Sequence, residues 1–355
     1  MRLRIEARNA TVAVEDGLIV PAGRQDLVLR FPGCEVRPGL VNAHEHLHRN
    51  HYGKLGEPPY PNAYAWGRDI HAKHAGWIAR RRKMARREAL LYGAWKNLVA
   101  GVTTVVHHDR WEADFEQDFP LRVARINSAH SVRLEPALPT GSPEDTPFGI
   151  HLAEGTDAEA AEEVRQLERA GLLNSRLMAV HVVGADEDGI RRLRAVGAAV
   201  VWCPTSNLFL LGRTAPPELL APGIDVLLGS DSLLTAAGSL LDELRAARAL
   251  ALLDDQRLLD AVGATAARRL GLEVPSLREG ARADLIVLRR SPLEADSQDV
   301  RLVVAGGVVR VADNESGWQL EKAGARGVLR RFGRVVRWID QRTTLPRASR
   351  QARSA

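Results

Sequence analysis

An eight-stranded α/β barrel, joined to a small β-sandwich built from both chain ends, is the fold the sequence predicts. Three observations carry that expectation. Between residues 38 and 274, short apolar and β-branched runs alternate with helical segments, the pattern of parallel strands joined by crossover helices. Polar residues, histidines above all, recur where those runs end, and the C-terminal strand ends are the chemical face of such a barrel. Outside that stretch, strand-like segments occur without helices, and neither end has enough of them to bury a face alone.

Taken in order, residues 2–7, 12–14, 27–31 and 35–37 read as strands separated by turn signals such as Asp16-Gly17. The run Pro38-Gly39-Leu40-Val41-Asn42-Ala43-His44-Glu45-His46-Leu47-His48 is the first barrel strand. Strand residues two apart point the same way, so His44 and His46 can offer two imidazoles to one ion. A long loop, rich in His, Asn, Pro and Tyr, follows to about residue 68 and covers the site. Residues 70–98 form a basic helical run. Residues 102–106 are β-branched and end at His107-His108-Asp109, and residues 121–126 are the third strand. The fourth falls within 127–146, where Pro136, Pro139, Gly141 and Pro143 leave little room for a full strand–helix unit, so a distorted or abbreviated barrel is expected there. Residues 148–150 end at His151, 177–180 at His181, 198–202 at Cys203-Pro204 and 224–228 at Gly229-Ser230-Asp231. Thr156 and Glu159 carry the signature of a helix-capping box. After Pro275 strands return without helices, at 284–288, 301–304 and 308–311. Residues 1–37 and 275–330 are therefore assigned to the sandwich and 38–274 to the barrel. Residues 343–355, polar and arginine-rich, are expected to be a disordered tail.

Composition narrows the function. The 355 residues carry a formal net charge of +5 and 45% hydrophobic residues. The arginines fall mostly on helix-like faces, and no zinc-finger spacing or aromatic–basic interleaving favours nucleic acid. No run has the length and apolarity of a membrane span, and the first residues lack the apolar core of a secretory signal. Two cysteines, Cys34 and Cys203, imply no disulfide framework and suit a reducing cytoplasm. A small-molecule substrate is the expected partner, and a homo-oligomer remains open.

The ordered succession PGLVNAHEHLH, GVTTV, HLAE, CPTSN, GSD and EGARADLIVL resembles the amidohydrolase superfamily, in its cytosine-deaminase, chlorohydrolase and adenosylhomocysteine-deaminase branch. The likeness runs from the N-terminal strands to about residue 312. It implies a barrel flanked by a sandwich from both termini. It implies that His44, His46, His151 and Asp231 bind metal, that Glu154 shuttles protons and that His181 polarises the substrate or touches the metal-bound water. It also gives Asp231 a second role as a base. The chain is shorter than most of that branch between strands three and five. The substrate-facing residue after strand four has only His130 as a match, and Gly155 follows HLAE where relatives more often have Thr.

The residue types support the same chemistry. Three histidines and an aspartate suit one divalent transition ion, zinc or iron, which makes water a nucleophile near neutral pH. Two carboxylates beside it can divide acid and base work. None of the five lysines, Lys54, Lys73, Lys83, Lys96 and Lys322, lies between strands three and eight to bridge a second ion, so the site is read as mononuclear. Taken alone, Asp231 beside Ser232 could be a helix cap, Glu154 a first-turn charge and His181 a buried core histidine. Their joint occurrence argues otherwise. His48, His107, His108, Asp109, Trp111 and His130 are the candidates to face substrate. The expected reaction is deamination of a small cyclic or aromatic amine. Hydrolysis of a cyclic amide or related C–N bond is the alternative, and a catalytically silent scaffold is a third reading that the intact ligand set disfavours.

Overall fold

The computed structural model describes residues 2–23, 27–135 and 146–341. The proposed tail and much of the segment expected to distort the barrel lie outside the described residues. The barrel strands form two parallel arrays. Val226–Leu228, Ala199–Trp202, Leu177–His181, Phe148–Leu152 and Asn127–Ser131 pair in that order, and Leu40–Glu45, Val102–His107 and Arg122–Ala124 make the second array. Residues such as Val41, Ala43, Val106, Val180, Val201 and Leu227 pack together in the lumen. Their alternates, among them Leu40, Val105, Ala179, Val200 and Leu228, join the cluster with the surrounding helices. Both faces of each strand are buried, so the strands read as continuous apolar runs.

The barrel is abbreviated in a specific way. Only Arg125 and Ile126 separate Arg122–Ala124 from Asn127–Ser131. The first segment pairs in parallel with Val102–His107, the second with Phe148–Leu152. One extended run thus occupies the places of barrel strands three and four. No crossover helix fits in two residues, because such a connection takes about a dozen.

The chain ends meet in two sheets. Leu3–Ala7, Thr11–Glu15, Leu18–Val20 and Leu27–Phe31 form a four-stranded sheet. Glu35–Pro38 joins Leu285–Leu288, Val300–Ala305, Val308–Ala312, Val335–Asp340 and Gly327–Phe332 in a six-stranded one. Alternation explains the apolar run Leu285–Leu288. Leu285 and Val287 face the four-stranded sheet, while Ile286 and Leu288 pack against the barrel's helical shell. Two features differ from the sequence reading. The sheet runs on to Asp340, and a helix, Asn314–Lys322, lies among these strands. Trp338 lies over Gly317 and Gly327, where a Cβ would sit 2.5 and 2.0 Å from its atoms. Elsewhere the basic run 70–98 is three helices, Ala63–Lys73, Ala75–Arg81 and Arg86–Leu98. The helix after His151 is capped by Asp157, whose side chain accepts from Ala160 N, and not by Thr156.

Strands eight and one are held together by polar contacts. The backbone N–H groups of Ser230 and Asp231 both donate to the His44 carbonyl, at 3.0 and 3.1 Å. Gly229 permits that approach, since a Cβ there would lie 2.5 Å from His44 Cβ. Beside it, fully buried Glu45 is an acceptor for four groups. Oε1 takes the His46 N–H (2.9 Å) and Asn50 Nδ2 (3.0 Å), and Oε2 takes Asn97 Nδ2 (3.0 Å) and Ser230 Oγ (3.0 Å). Lys96 Nζ pairs with Glu45 Oε2 at 2.7 Å and donates to the Asp231 carbonyl at 2.8 Å. Replacing one partner of a buried, hydrogen-bonded ion pair strands the other charge. Lys96→Met is therefore expected to lower stability by about 3–5 kcal/mol in chemical denaturation, and Lys96→Met with Glu45→Gln by clearly less. Equal losses in the two variants would refute the pairing.

Candidate metal centre

Backbone distortions aim the strand ends. The register of the first barrel strand slips between Asn42 and Glu45 against its neighbour, a bulge of the kind that redirects side chains. Ala153, His181, Val182 and Asp231 have φ of 49°, 71°, 52° and 49°. Non-glycine residues in this region cost of order 1–3 kcal/mol each and cluster at functional sites.

Hydrogen bonds then fix which ring nitrogen is free. His46 Nδ1–H donates to Asp109 Oδ2 at 2.6 Å, and His151 Nδ1–H donates to the His130 carbonyl. Acceptors that cannot donate force the proton onto Nδ1 in both rings. The two Nε2 atoms nevertheless lie 3.2 Å apart. Two lone pairs facing each other at that distance call for a cation between them. Both nitrogens of His44 are buried without a hydrogen-bond partner among the described residues. Asp231 Oδ1 stands 3.7 Å from His44 Nε2 and 3.8 Å from His46 Nε2. Burial holds His44 below, and His46 and His151 well below, the usual histidine range, so the imidazoles are neutral. Burial alone would raise the Asp231 carboxyl, yet the group is held well below its ordinary value. Asp231 also accepts from Ser206 Oγ (2.8 Å), Thr235 Oγ1 (2.7 Å) and its neighbour's Ser232 N–H (2.7 Å). His44, His46 and Asp231 bring one ligand atom each within 4.8 Å of one another, and His44, His108 and His151 form a second such group; neutral imidazoles and an ionised carboxylate fit a divalent transition-metal cofactor, with zinc the conventional occupant of such a donor set.

His181 Nδ1–H donates to Asn207 Oδ1 at 2.8 Å, which leaves its Nε2 3.5 Å from Glu154 Oε1. Burial pushes the Glu154 carboxyl up to about 7, Asp231 adds to that rise and His181 opposes it. The group therefore exchanges a proton near neutral pH. Above these residues opens a cavity of about 970 Å³, lined by Glu154, His181, Asp231 and by residues of the first loop and first two helices.

The substrate-facing candidates divide. His48 and His130 line the cavity. Asp109 instead supports His46 and pairs with Arg49 Nη2 at 3.1 Å. His107 turns away from the ion site: its Nδ1 accepts the Leu47 N–H at 3.2 Å, and its ring packs edge-on to Phe115. That acceptor role puts the His107 proton on Nε2. His48, His107 and Asp109 bring one ligand atom each within 4.8 Å of one another, and His48 Nδ1 and His107 Nε2 are buried without a hydrogen-bond partner among the described residues. Trp111 does not face substrate: its indole donates to Glu116 Oε1 at 3.0 Å and stacks under Arg125. His108 lies beneath the site, 4.2 Å from the His151 ring. Sequence reasoning passed over Glu45, Lys96 and Asn207. The CPTSN motif contained the signal for Asn207, but nothing in the sequence pairs Lys96 with Glu45 across 51 positions.

The sequence model of the amidohydrolase family matches residues 141–311. The 5-methylthioadenosine/S-adenosylhomocysteine deaminase of Pyrococcus furiosus is 27% identical, across 86% of this chain and 92% of its own length. The aminodeoxyfutalosine deaminase of Deinococcus radiodurans is 38% identical over a shorter stretch, 33% of this chain and 29% of its own. Among solved structures, an adenosine deaminase from Xanthomonas campestris with bound zinc superposes with a TM-score of 0.65 at 20% identity, covering 90% of this chain and 96% of the other. A triazine hydrolase of Arthrobacter aurescens gives 0.69 at 20%, covering 88% and 95%. The family model over residues 141–311, the relatives and the shared barrel with its sheet from both termini lead to one conclusion: this chain is similar to the amidohydrolase superfamily in sequence and in fold.

Proposed function

We propose that the chain is a metal-dependent hydrolase that deaminates a small cyclic or aromatic amine. The observation that carries this reading is the pair of facing lone pairs on His46 and His151, set beside a carboxyl that titrates near 7. The deaminase names of the Pyrococcus and Deinococcus relatives support it. We assign the ion to His44, His46, His151 and Asp231. When bound, such an ion supplies Lewis acidity and makes water a usable nucleophile near neutral pH. Asp231, held by Ser206 and Thr235, accepts the proton of the attacking water. Glu154 stands above it at the cavity floor, delivers a proton to the ring nitrogen and passes one to the departing amine. His181, oriented by Asn207, turns its Nε2 lone pair toward Glu154, where it can accept a hydrogen bond from the attacking water and orient it. Among the described residues no helix is long and apolar enough to cross a membrane. Two buried free cysteines suit the reducing cytoplasm in which we place the protein.

Ammonia release from a panel of heterocyclic amines by the metal-loaded protein tests the reaction class, and absence of turnover across deaminase and amidase panels would contradict it. On the responding substrate, Glu154→Gln should lower kcat by about 10²–10⁴-fold with metal content unchanged. Normal turnover at full occupancy would remove Glu154 from the mechanism. Asp231→Asn should lower both rate and metal retention. Asp109→Ala should weaken metal affinity by about 10–100-fold, because it frees the His46 ring to rotate and change tautomer. Unchanged retention in a chelator competition would show that Asp109 does not support the ligand.

A further inference from the structure

One histidine at the centre has no role in the mechanism above. His108 follows the second barrel strand and is 2% exposed. Its backbone N–H donates to the Glu45 carbonyl at 2.8 Å, which ties it to the end of the first strand. Its Nε2 lies 2.9 Å from the Ala129 carbonyl oxygen. A carbonyl only accepts, so Nε2 carries the proton and Nδ1 carries a lone pair. That Nδ1 is buried and has no hydrogen-bond partner among the described residues. A buried acceptor left without a donor costs free energy.

The surroundings of the ring are those of the ion site. Its centroid lies 4.2 Å from that of His151, 4.9 Å from His44 and 5.7 Å from His46. One ligand atom each from His44, His108 and His151 fall within 4.8 Å of one another. Gly149, two residues before His151 on the same strand, leaves the space open. A Cβ there would lie 3.6 Å from His108 Nδ1 and 2.9 Å from Ile126 Cδ1. Ala129, the acceptor that fixes the tautomer, sits on the extended run that replaces strands three and four. The abbreviated barrel therefore orients this ring.

We propose that His108, through Nδ1, is a further protein ligand of the ion, so that four imidazoles and one carboxylate surround it. The inference rests on the metal reading of the site and adds one donor to it. A neutral fifth donor leaves the charge of the site unchanged and raises the coordination number above the tetrahedral arrangement usual for zinc. It also ties the ion to the second strand.

Cobalt(II) loaded into the full-length protein is the probe, read by X-ray absorption, visible spectroscopy and chelator competition. The expected result is one cobalt per chain with four imidazoles in its first shell. His108→Phe, which keeps a flat ring without the donor, should show three imidazoles and a more intense, more tetrahedral visible band. Its affinity should fall by more than about 100-fold, beyond the 10–100-fold typical of a residue acting through another ligand. Three imidazoles in the unaltered protein would overturn the proposal while leaving the metal reading intact, and this count needs no variant to fold. A His108→Phe spectrum and affinity matching the unaltered protein would overturn it equally. Failure of the unaltered protein to bind cobalt at all would instead overturn the metal reading and this proposal with it.

Discussion

A single buried charge pair, Glu45 with Lys96, supports the geometry on which the centre depends. Glu45 lies between His44 and His46 in sequence, and its carboxylate gathers donors from the first strand, the third helix and strand eight. Lys96 reaches from that carboxylate to the carbonyl of Asp231, a residue held at φ 49°. Strained backbone persists only where its surroundings over-determine it. Here the constraint is two N–H bonds to His44, one ammonium, and a glycine that lets the strands touch. The clamp places the carboxylate opposite the two histidines of the first strand.

Around that frame, the outer hydrogen bonds decide the chemistry. His46, His151, His181 and His108 each donate one ring N–H to a fixed oxygen, on Asp109, His130, Asn207 and Ala129 respectively. Each ring is left with its other nitrogen as an acceptor. Burial keeps His46, His151 and His108 uncharged, so the centre is prepared for a cation before one arrives. Glu154 has the opposite environment. It lacks a strong cationic partner, and its raised affinity for protons suits transfer.

Much of this was legible in the chain, for identifiable reasons. The strand-end residues His44, His46, His151, His181 and Asp231 stand out because apolar runs terminate at them, and the barrel fixes where such ends converge. The two-sheet partnership of the termini followed from each end having too few strands to bury a face. What escaped depends on contacts without a local pattern. Lys96 reads as one more basic residue on a helix, and only the fold carries it to Glu45. Asp109 and Trp111 lie two positions apart in sequence, yet one holds the His46 ring and the other packs against Arg125. The shortening near strand four was visible as missing length, but the single extended run across two strand positions was not. It follows from pairing with two different neighbours. The helix Asn314–Lys322 was lost because its Gly317 weakens the helical signal.

The central claim is that these donors converge on one point. Equilibrium dialysis of the metal-stripped protein against zinc, with elemental analysis of the retained ion, tests it most directly. One tightly held ion per chain is the predicted result. Two ions held equally tightly, or none, would contradict the account.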